Sequence, residues 1–444
     1  MAMQGNKKKY LTLSYGCQMS ERDAETFSSV ARQQGYEKTT ELEQADLIII
    51  NTCCVRESAE NKIIGKIGQL KNYKEKKPSL KIAVCGCMVQ QPGTAEKLSK
   101  RAAHVDIWTG TNDIGNFAQL LKSASENSKI ICVSQEAQKN GDREISTAEY
   151  GKLKANVNIM YGCNNYCAYC IVPFVRGEER SRPKEDICEE IGVLVQGGCK
   201  EVTLLGQNVN SYGLRDGFAY DFSNLLQEVD QLPNLDRIRF ITSHPKDLSD
   251  LLIKTIAEGQ KICEHIHLPF QAGSNTILRA MNRNYTREYY LERIKAILGM
   301  IPEVRLTTDI IVGFPGETEE DFEQTIDLVQ KVHFSQAFTF MYSKRSGTAA
   351  ASYEEQIPLD VKKRRLQRLM SIQNARSLSW REQMTGKEYE VLVEGPSKNN
   401  PEMLTGRTRG NEVVVFPGHL DLAGTLVLVR IQSVNSWTLW GELV

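Results

Sequence analysis

Three cysteines, Cys163, Cys167 and Cys170, stand at a C-x3-C-x2-C spacing inside Ile159-Met160-Tyr161-Gly162-Cys163-Asn164-Asn165-Tyr166-Cys167-Ala168-Tyr169-Cys170-Ile171-Val172-Pro173. Gly162 can take the positive φ that lets a chain reverse, and Asn164 and Asn165 tolerate left-handed backbone. One turn-rich loop can therefore aim three thiolates at a single centre. A closed structural zinc site uses four ligands, and iron–sulfur clusters usually take four cysteines. A compact triplet with no neighbouring fourth Cys or His leaves one metal position open. Two blander readings compete: three buried cysteines packing as small hydrophobes, or a zinc site completed by a distant His.

The chain has 444 residues, enough for two or three domains with their own cores. Lys plus Arg and Asp plus Glu both total 55, so global charge neither favours nor excludes a nucleic-acid partner, and any basic surface is local. No run approaches the ~18 apolar residues of a membrane span, and no apolar segment follows Lys7-Lys8-Lys9 as in a secretory signal. Twelve cysteines without such a signal point to metal binding in a reducing compartment rather than to disulfides. The expected location is the cytoplasm, with no membrane partner.

Residues 10–121 read as alternating strands (10–14, 45–51, 81–85 and one opening at 106–108) and helices (21–34, 58–71 and 114–121). That alternation predicts a doubly wound parallel sheet. Cys17 follows the first strand, Cys53 the second and Cys87 the third. Ligands of open parallel sheets bind beyond the carboxyl ends of the strands, so a second three-cysteine metal site follows from the topology. Cys85 lies in an apolar run and reads as core, whereas periodicity alone does not choose between Cys53 and Cys54. The polar stretch 127–150 reads as a linker holding one strand at 130–133, between an N-terminal domain (1–126) and a central one (151–383).

Six strand candidates follow, at 156–161, 201–205, 237–242, 265–269, 305–311 and 337–341, most of them separated by helices. Six βα units are too few for a closed eight-fold barrel, and a curved partial (βα)6 barrel is expected. Its carboxyl-end rim would include Gln207, Ser243, Gln271 and Asp309, each equally readable as an ordinary turn residue. His244 and His267 read as hydrogen-bonding groups, and Cys188, Cys199 and Cys263 as structural. Arg176, Arg180 and Arg182, in the charged loop beyond the cysteines, are candidate substrate or cofactor contacts, since arginine's planar fork suits carboxylate and phosphate. A basic helix over 361–383 leads into residues 384–444, which are strand-like and predict a small antiparallel β-barrel of the kind that binds looped RNA. Lys387, Arg407, Arg409 and Arg430 are candidate phosphate contacts there. Trp437, Trp440 and Phe416 are candidate base-stacking groups, with core packing the expected fate of at least two.

The triplet, with Tyr169 before its last Cys, resembles the signature of radical S-adenosylmethionine (SAM) enzymes. The resemblance implies that three thiolates hold a [4Fe-4S] cluster whose fourth iron binds the amine and carboxylate of SAM. It also implies the partial barrel, with Gln207, Ser243, Gln271 and Asp309 as SAM or substrate positions. Tyr15-Gly16-Cys17-Gln18-Met19, Asn51-Thr52-Cys53-Cys54-Val55-Arg56-Glu57 and Gly86-Cys87-Met88-Val89-Gln90 resemble the three N-terminal motifs of the methylthiotransferases of that superfamily. There, by resemblance, Cys17, Cys53 and Cys87 hold an auxiliary [4Fe-4S] cluster, which selects Cys53 over Cys54. The C-terminal segment resembles the RNA-binding TRAM module.

Within that family the motif pairing most resembles the branch that methylthiolates carbon 2 of N6-isopentenyl-adenosine beside the tRNA anticodon. Sibling branches act on threonylcarbamoyl-adenosine or on a ribosomal protein. Ser20, Ala272 and Lys344 depart from the usual Asn, Ser and Pro, and none of these departures touches a cysteine. A monomer is expected, and the expected partners are a tRNA anticodon stem-loop, an electron donor and a sulfur source. The contrasting readings are an RNA-binding protein with two structural metal sites and an electron-transfer iron–sulfur protein.

Overall fold

A computed structural model describes residues 7–54, 57–124, 129–135 and 151–444. These form two compact units. The first takes the described residues from 7 to 135 together with Met160–Asn164 and Ile171–Arg182; the second takes residues 151–159, Asn165–Cys170 and Pro183–Val444. Most of the expected linker (127–128 and 136–150) lies outside the described residues, as do Val55 and Arg56 of the second N-terminal motif.

In the first unit, six strands make one parallel sheet in the spatial order Glu37–Lys38, Lys9–Ser14, Leu47–Thr52, Lys81–Gly86, Ile107–Thr109, Ile130–Cys132. The unbroken apolar run Leu47-Ile48-Ile49-Ile50 reflects burial on both faces of a parallel sheet. Ile48 and Ile50 pack with Ile63, Ile67 and Leu70 of the helix Glu57–Lys76. Leu47 and Ile49 face the other way, against Phe27 and Val30 of the helix Gln18–Gln33 and Phe117 of the helix Phe117–Ser123. Cys85 lies in this second core. Two edge strands escape the sequence pattern in different ways. Glu37–Lys38 is too short and too polar to show periodicity, and Ile130–Cys132, read from sequence inside the linker, is the last strand of the sheet.

In the second unit, the strands Lys154–Asn158, Glu201–Leu205, Arg237–Phe240, His265–His267, Arg305–Val312 and Phe334–Met341 follow one another, all paired parallel within two three-stranded sheets. A single parallel bridge, Ile238 to Ile262, joins the third strand to the approach of the fourth, giving one open (βα)6 array. Local sequence sets the helix starts: Asp221 with Asn224 and Thr318 with Asp321 form reciprocal capping boxes at the helices Phe222–Asp230 and Glu319–Lys331. The expected strand 156–161 divides in two. Its second part, Met160–Tyr161, belongs to the first unit and pairs antiparallel with Arg180–Ser181.

The C-terminal strands Glu388–Pro396, Met403–Thr408, Val413–Pro417, Leu426–Val434 and Thr438–Leu443 close a barrel. All pairings are antiparallel except that of Val413–Pro417 with Thr438–Leu443. Val391, Val393, Leu404, Val414, Phe416, Val429, Ile431 and Leu439 fill it. Met403–Thr408 escapes the sequence pattern because its inward positions are Leu404, Gly406 and Thr408, only one of them strongly apolar.

Arginines at the amino ends of the (βα)6 strands tie this barrel down. Arg237 donates to Arg407 O at 2.7 Å and pairs with Glu390 at 2.8 Å. Arg239 donates to Glu201 Oε2 at 2.9 Å and to the carbonyls of Arg409 and Thr408 at 2.8 Å each. Arg305 stacks 3.7 Å from the Trp380 ring centroid, and Arg381, near the end of the basic helix Leu359–Glu382, reaches Glu412 at 3.0 Å. The Arg239→Met variant would leave Glu201 buried and unpaired, a loss of about 3–5 kcal/mol. Urea unfolding followed through Trp380, Trp437 and Trp440 should show that loss, and Arg239→Met with Glu201→Met should recover most of it.

Candidate metal centres

Lys9–Ser14, Leu47–Thr52 and Lys81–Gly86 are neighbours in the sheet and run parallel, so their carboxyl ends share one edge. Cys17, Cys53 and Cys87 emerge there: Cys17 caps the helix Gln18–Gln33, and Cys87 opens the short helix Cys87–Gln90. The fit is close. A Cβ on Gly16 would lie 2.6 Å from Cys53 Cβ and 2.7 Å from Ser20 Oγ, so the first loop can approach the second only as glycine. Among the described residues no three donor groups are already gathered round one point. The thiols instead associate in two pairs, Cys53 with Cys17 and Cys54 with Cys87.

These pairs share a cation. Arg176, at the end of the helix Val172–Arg176, is 7 % exposed and donates from Nη2 to Asp23 Oδ2 at 2.7 Å. Cys17 and Cys87 both act on it electrostatically. The hydrogen bond with Cys53 brings Cys17 down to about 4, with Arg176 helping against burial. The hydrogen bond with Cys54, together with burial, pushes Cys87 well above the usual thiol range, with Arg176 opposing. Ile171 and Val175 of the same segment pack on Cys54 and Cys87. Arg176, expected as a substrate or cofactor contact, is thus a buried neighbour of the thiol edge.

In the central loop, Gly162 has φ +68°, and a Cβ there would lie 2.0 Å from Glu178 O. The boundary between the two units passes through this loop, with Cys163 in the first and Cys167 and Cys170 in the second. Cys170 N–H donates to Cys167 O at 2.9 Å, and Ala168 N–H to Met281 O at 2.9 Å. Asn282 Nδ2 donates to Tyr166 O at 2.9 Å. Arg283, buried, donates to Pro269 O at 2.7 Å and from Nη1 to Cys167 Sγ at 3.6 Å. Sequence reasoning missed Arg283, because an arginine among asparagines reads as a solvated loop residue.

Of the rim candidates, Ser243 is buried and its Oγ has no hydrogen-bond partner among the described residues; Asn210 Oδ1, a group not singled out from sequence, shares that condition. Gln271 has φ +65° and bridges by backbone to the strand Arg305–Val312, and Asp309 lies 3.5 Å from His267 Nε2. Gln207 is half-buried just beyond Leu205. His244 is buried and neutral, its pKa lowered by burial and by Arg283 and Lys246, and its Nδ1 accepts from Lys246 N–H. Arg180 stands 5.9 Å over the Tyr161 ring, and Arg182 is buried. Arg409 is occupied within the protein, paired with Glu264 at 2.7 Å, and Arg407 reaches Glu394 at 3.2 Å. Arg430 pairs with Glu388, Lys387 and Trp437 are exposed, Trp440 is half-buried and Phe416 is core.

Family models match in three places: the radical SAM superfamily over residues 157–329, uncharacterized protein family UPF0004 over 9–110, and the TRAM domain over 382–444. The chain is 66 % identical over 435 residues to the tRNA-2-methylthio-N(6)-dimethylallyladenosine synthase of Desulfitobacterium hafniense (strain Y51), covering 98 % of this chain and 97 % of that one. This chain belongs to that synthase family. A further member, from Moorella thermoacetica, is 51 % identical over 99 % of both chains. Among solved structures, the radical SAM methyltransferase TsrM from Kitasatospora setae superposes with a TM-score of 0.56 at 12 % identity, over 78 % of this chain and 77 % of that one. That likeness concerns the fold alone.

The synthase family is a radical SAM family, which implies SAM and a [4Fe-4S] cluster. The donors present fit such groups: soft thiols at both places, each with a buried guanidinium, and orphaned polar atoms at the barrel rim. In metal-free protein Cys17 is exposed and its thiolate persists above about pH 4, so its alkylation by iodoacetamide should be flat between about pH 6 and 8. Cys188, pushed up to about 11 by burial, should instead react faster as pH rises across that range. Mass-spectrometric peptide mapping reads both. Gly162→Ala should displace the cysteine loop and lower iron retention after reconstitution, counted colorimetrically.

Proposed function

We infer that the chain methylthiolates carbon 2 of N6-isopentenyl-adenosine next to the anticodon of tRNA. The observation that carries this reading is the end-to-end likeness to synthases of that name, 66 % identical over 98 % of the chain. Cys163, Cys167 and Cys170 would hold one [4Fe-4S] cluster, and Cys17, Cys53 and Cys87 a second. When bound, the first would supply reductive cleavage of SAM to a deoxyadenosyl radical able to open an inert C–H bond, and the second the sulfur.

The remaining work falls to the protein's own side chains. Arg283 holds the Cys167 sulfur in place and contributes a positive charge beside it. Ser243 and Asn210 offer polar atoms with no partner among the described residues at the strand ends, with Gln207, Gln271 and Asp309, for the polar groups of SAM and substrate. Arg180 and Arg182 are retained as substrate contacts. The C-terminal barrel offers Trp437 (62 % exposed) for stacking on an unpaired base and Lys387 for phosphate. An anticodon loop suits such a site because its bases are already partly unstacked. The enzyme is taken to work as a cytoplasmic monomer with an external electron donor and sulfur source; among the described residues no helix is long and apolar enough to cross a membrane.

Anaerobic reconstitution should load about eight iron atoms per chain. Cys17→Ala should hold about four, keep SAM cleavage and lose methylthio product, while Cys167→Ala should hold about four and release no deoxyadenosine. Cys53→Ser should behave as Cys17→Ala, whereas Cys54→Ser should keep its full iron content. A wild-type chain that stops at about four iron atoms would remove the auxiliary cluster from this reading.

A further inference from the structure

We propose that Arg176 is a positioning residue of the auxiliary centre: its buried guanidinium, pinned by Asp23, donates N–H hydrogen bonds to the anionic sulfur gathered at the strand ends. The proposal rests on the reading that Cys17, Cys53 and Cys87 hold a cluster, and it assigns a group that the cysteine motifs do not include.

Four observations lead there. Arg176 and Asp23 are both nearly enclosed, with side chains 6 % and 4 % exposed, and their contact is 2.7 Å. A buried ion pair repays its desolvation poorly as a source of stability, so its retention beside thiols calls for another role. Asp23 accepts the one hydrogen bond that Arg176 donates among the described residues. A guanidinium carries five N–H donors in a fixed fork, of which Asp23 takes one, so the same group can serve a second anionic partner. Finally, the helix Val172–Arg176 is held on the thiol edge by Ile171 and Val175 packing on Cys54 and Cys87, and by Thr111 Oγ1 donating to Val175 O. The fork is therefore placed by packing as well as by Asp23.

The chemistry that fits such a fork is anionic sulfur, either cysteine thiolate or sulfide. Hydrogen bonds and positive charge at the sulfurs favour the more negative, reduced state of a cluster and raise its potential. Lysine, a point charge without the fork, would keep only part of this effect.

The test uses the full chain, reconstituted anaerobically, with Cys163, Cys167 and Cys170 changed to Ala so that only the auxiliary cluster remains. Its midpoint potential is read by EPR-monitored redox titration for Arg176→Lys, Arg176→Met and the double variant Arg176→Met with Asp23→Leu. The double variant avoids stranding a buried carboxylate. The expected result is a midpoint below that of the parent in every variant that loads iron, with the smallest fall for Arg176→Lys. An unchanged or higher midpoint in the loaded variants would overturn the proposal. If neither methionine variant loads, the Lys variant decides. Should the parent itself bind no iron, the auxiliary-cluster reading has failed rather than this one.

Discussion

Keeping sulfur beside a buried positive charge is the constraint on which much of this structure turns. A thiolate moved into a low-dielectric interior loses its hydration and persists only where donors or positive charge replace the water. Each cysteine group here has one buried arginine beside it, Arg176 at the sheet edge and Arg283 at the central loop. Each arginine is itself anchored, Arg176 by Asp23 and Arg283 by the carbonyl of Pro269 and the Tyr285 hydroxyl. The anchors matter because an untethered buried cation would be as costly as the thiolate it serves.

Parallel strands then divide the work between their two ends. Cysteines and polar rim groups gather beyond carboxyl ends, where loops can vary without disturbing the sheet. In the second unit the amino ends are given over to stability: Arg237, Arg239 and Arg305 bind the C-terminal barrel and the basic helix there. The C-terminal barrel is thus fastened to the face of the (βα)6 array opposite the rim. Helix Leu359–Glu382 spends much of its basic character in the same way, since Arg365 pairs with Glu317, Arg368 with Glu323 and Arg381 with Glu412.

Motifs whose meaning is local were the most legible from sequence. The alternation of strands and helices is enough to place Cys17, Cys53 and Cys87 at neighbouring strand ends, and an apolar run is enough to put Cys85 in the core. Adjacent residues with opposite fates are not separable in this way: Cys53 and Cys54 leave the strand toward different partners. Arginines were the least legible. Arg283 sits in a polar stretch that suggests solvent, and Arg176 and Arg409 read as contacts to a bound group, yet their partners Cys167, Asp23 and Glu264 lie at least a hundred residues away in the sequence. Only the fold brings those pairs together. The strand Met403–Thr408 was hidden for a related reason, because one inward position is Gly406, where a Cβ would meet Leu392 O at 2.4 Å.

The most direct test of the account is nucleoside mass spectrometry on anticodon stem-loops incubated with the reconstituted enzyme, SAM, a sulfide source and a reductant. One stem-loop carries N6-isopentenyl-adenosine and the other threonylcarbamoyl-adenosine. The account predicts a methylthio group on the isopentenyl nucleoside alone, accompanied by deoxyadenosine. Methylthiolation of the threonylcarbamoyl nucleoside, or deoxyadenosine with neither RNA altered, would contradict it.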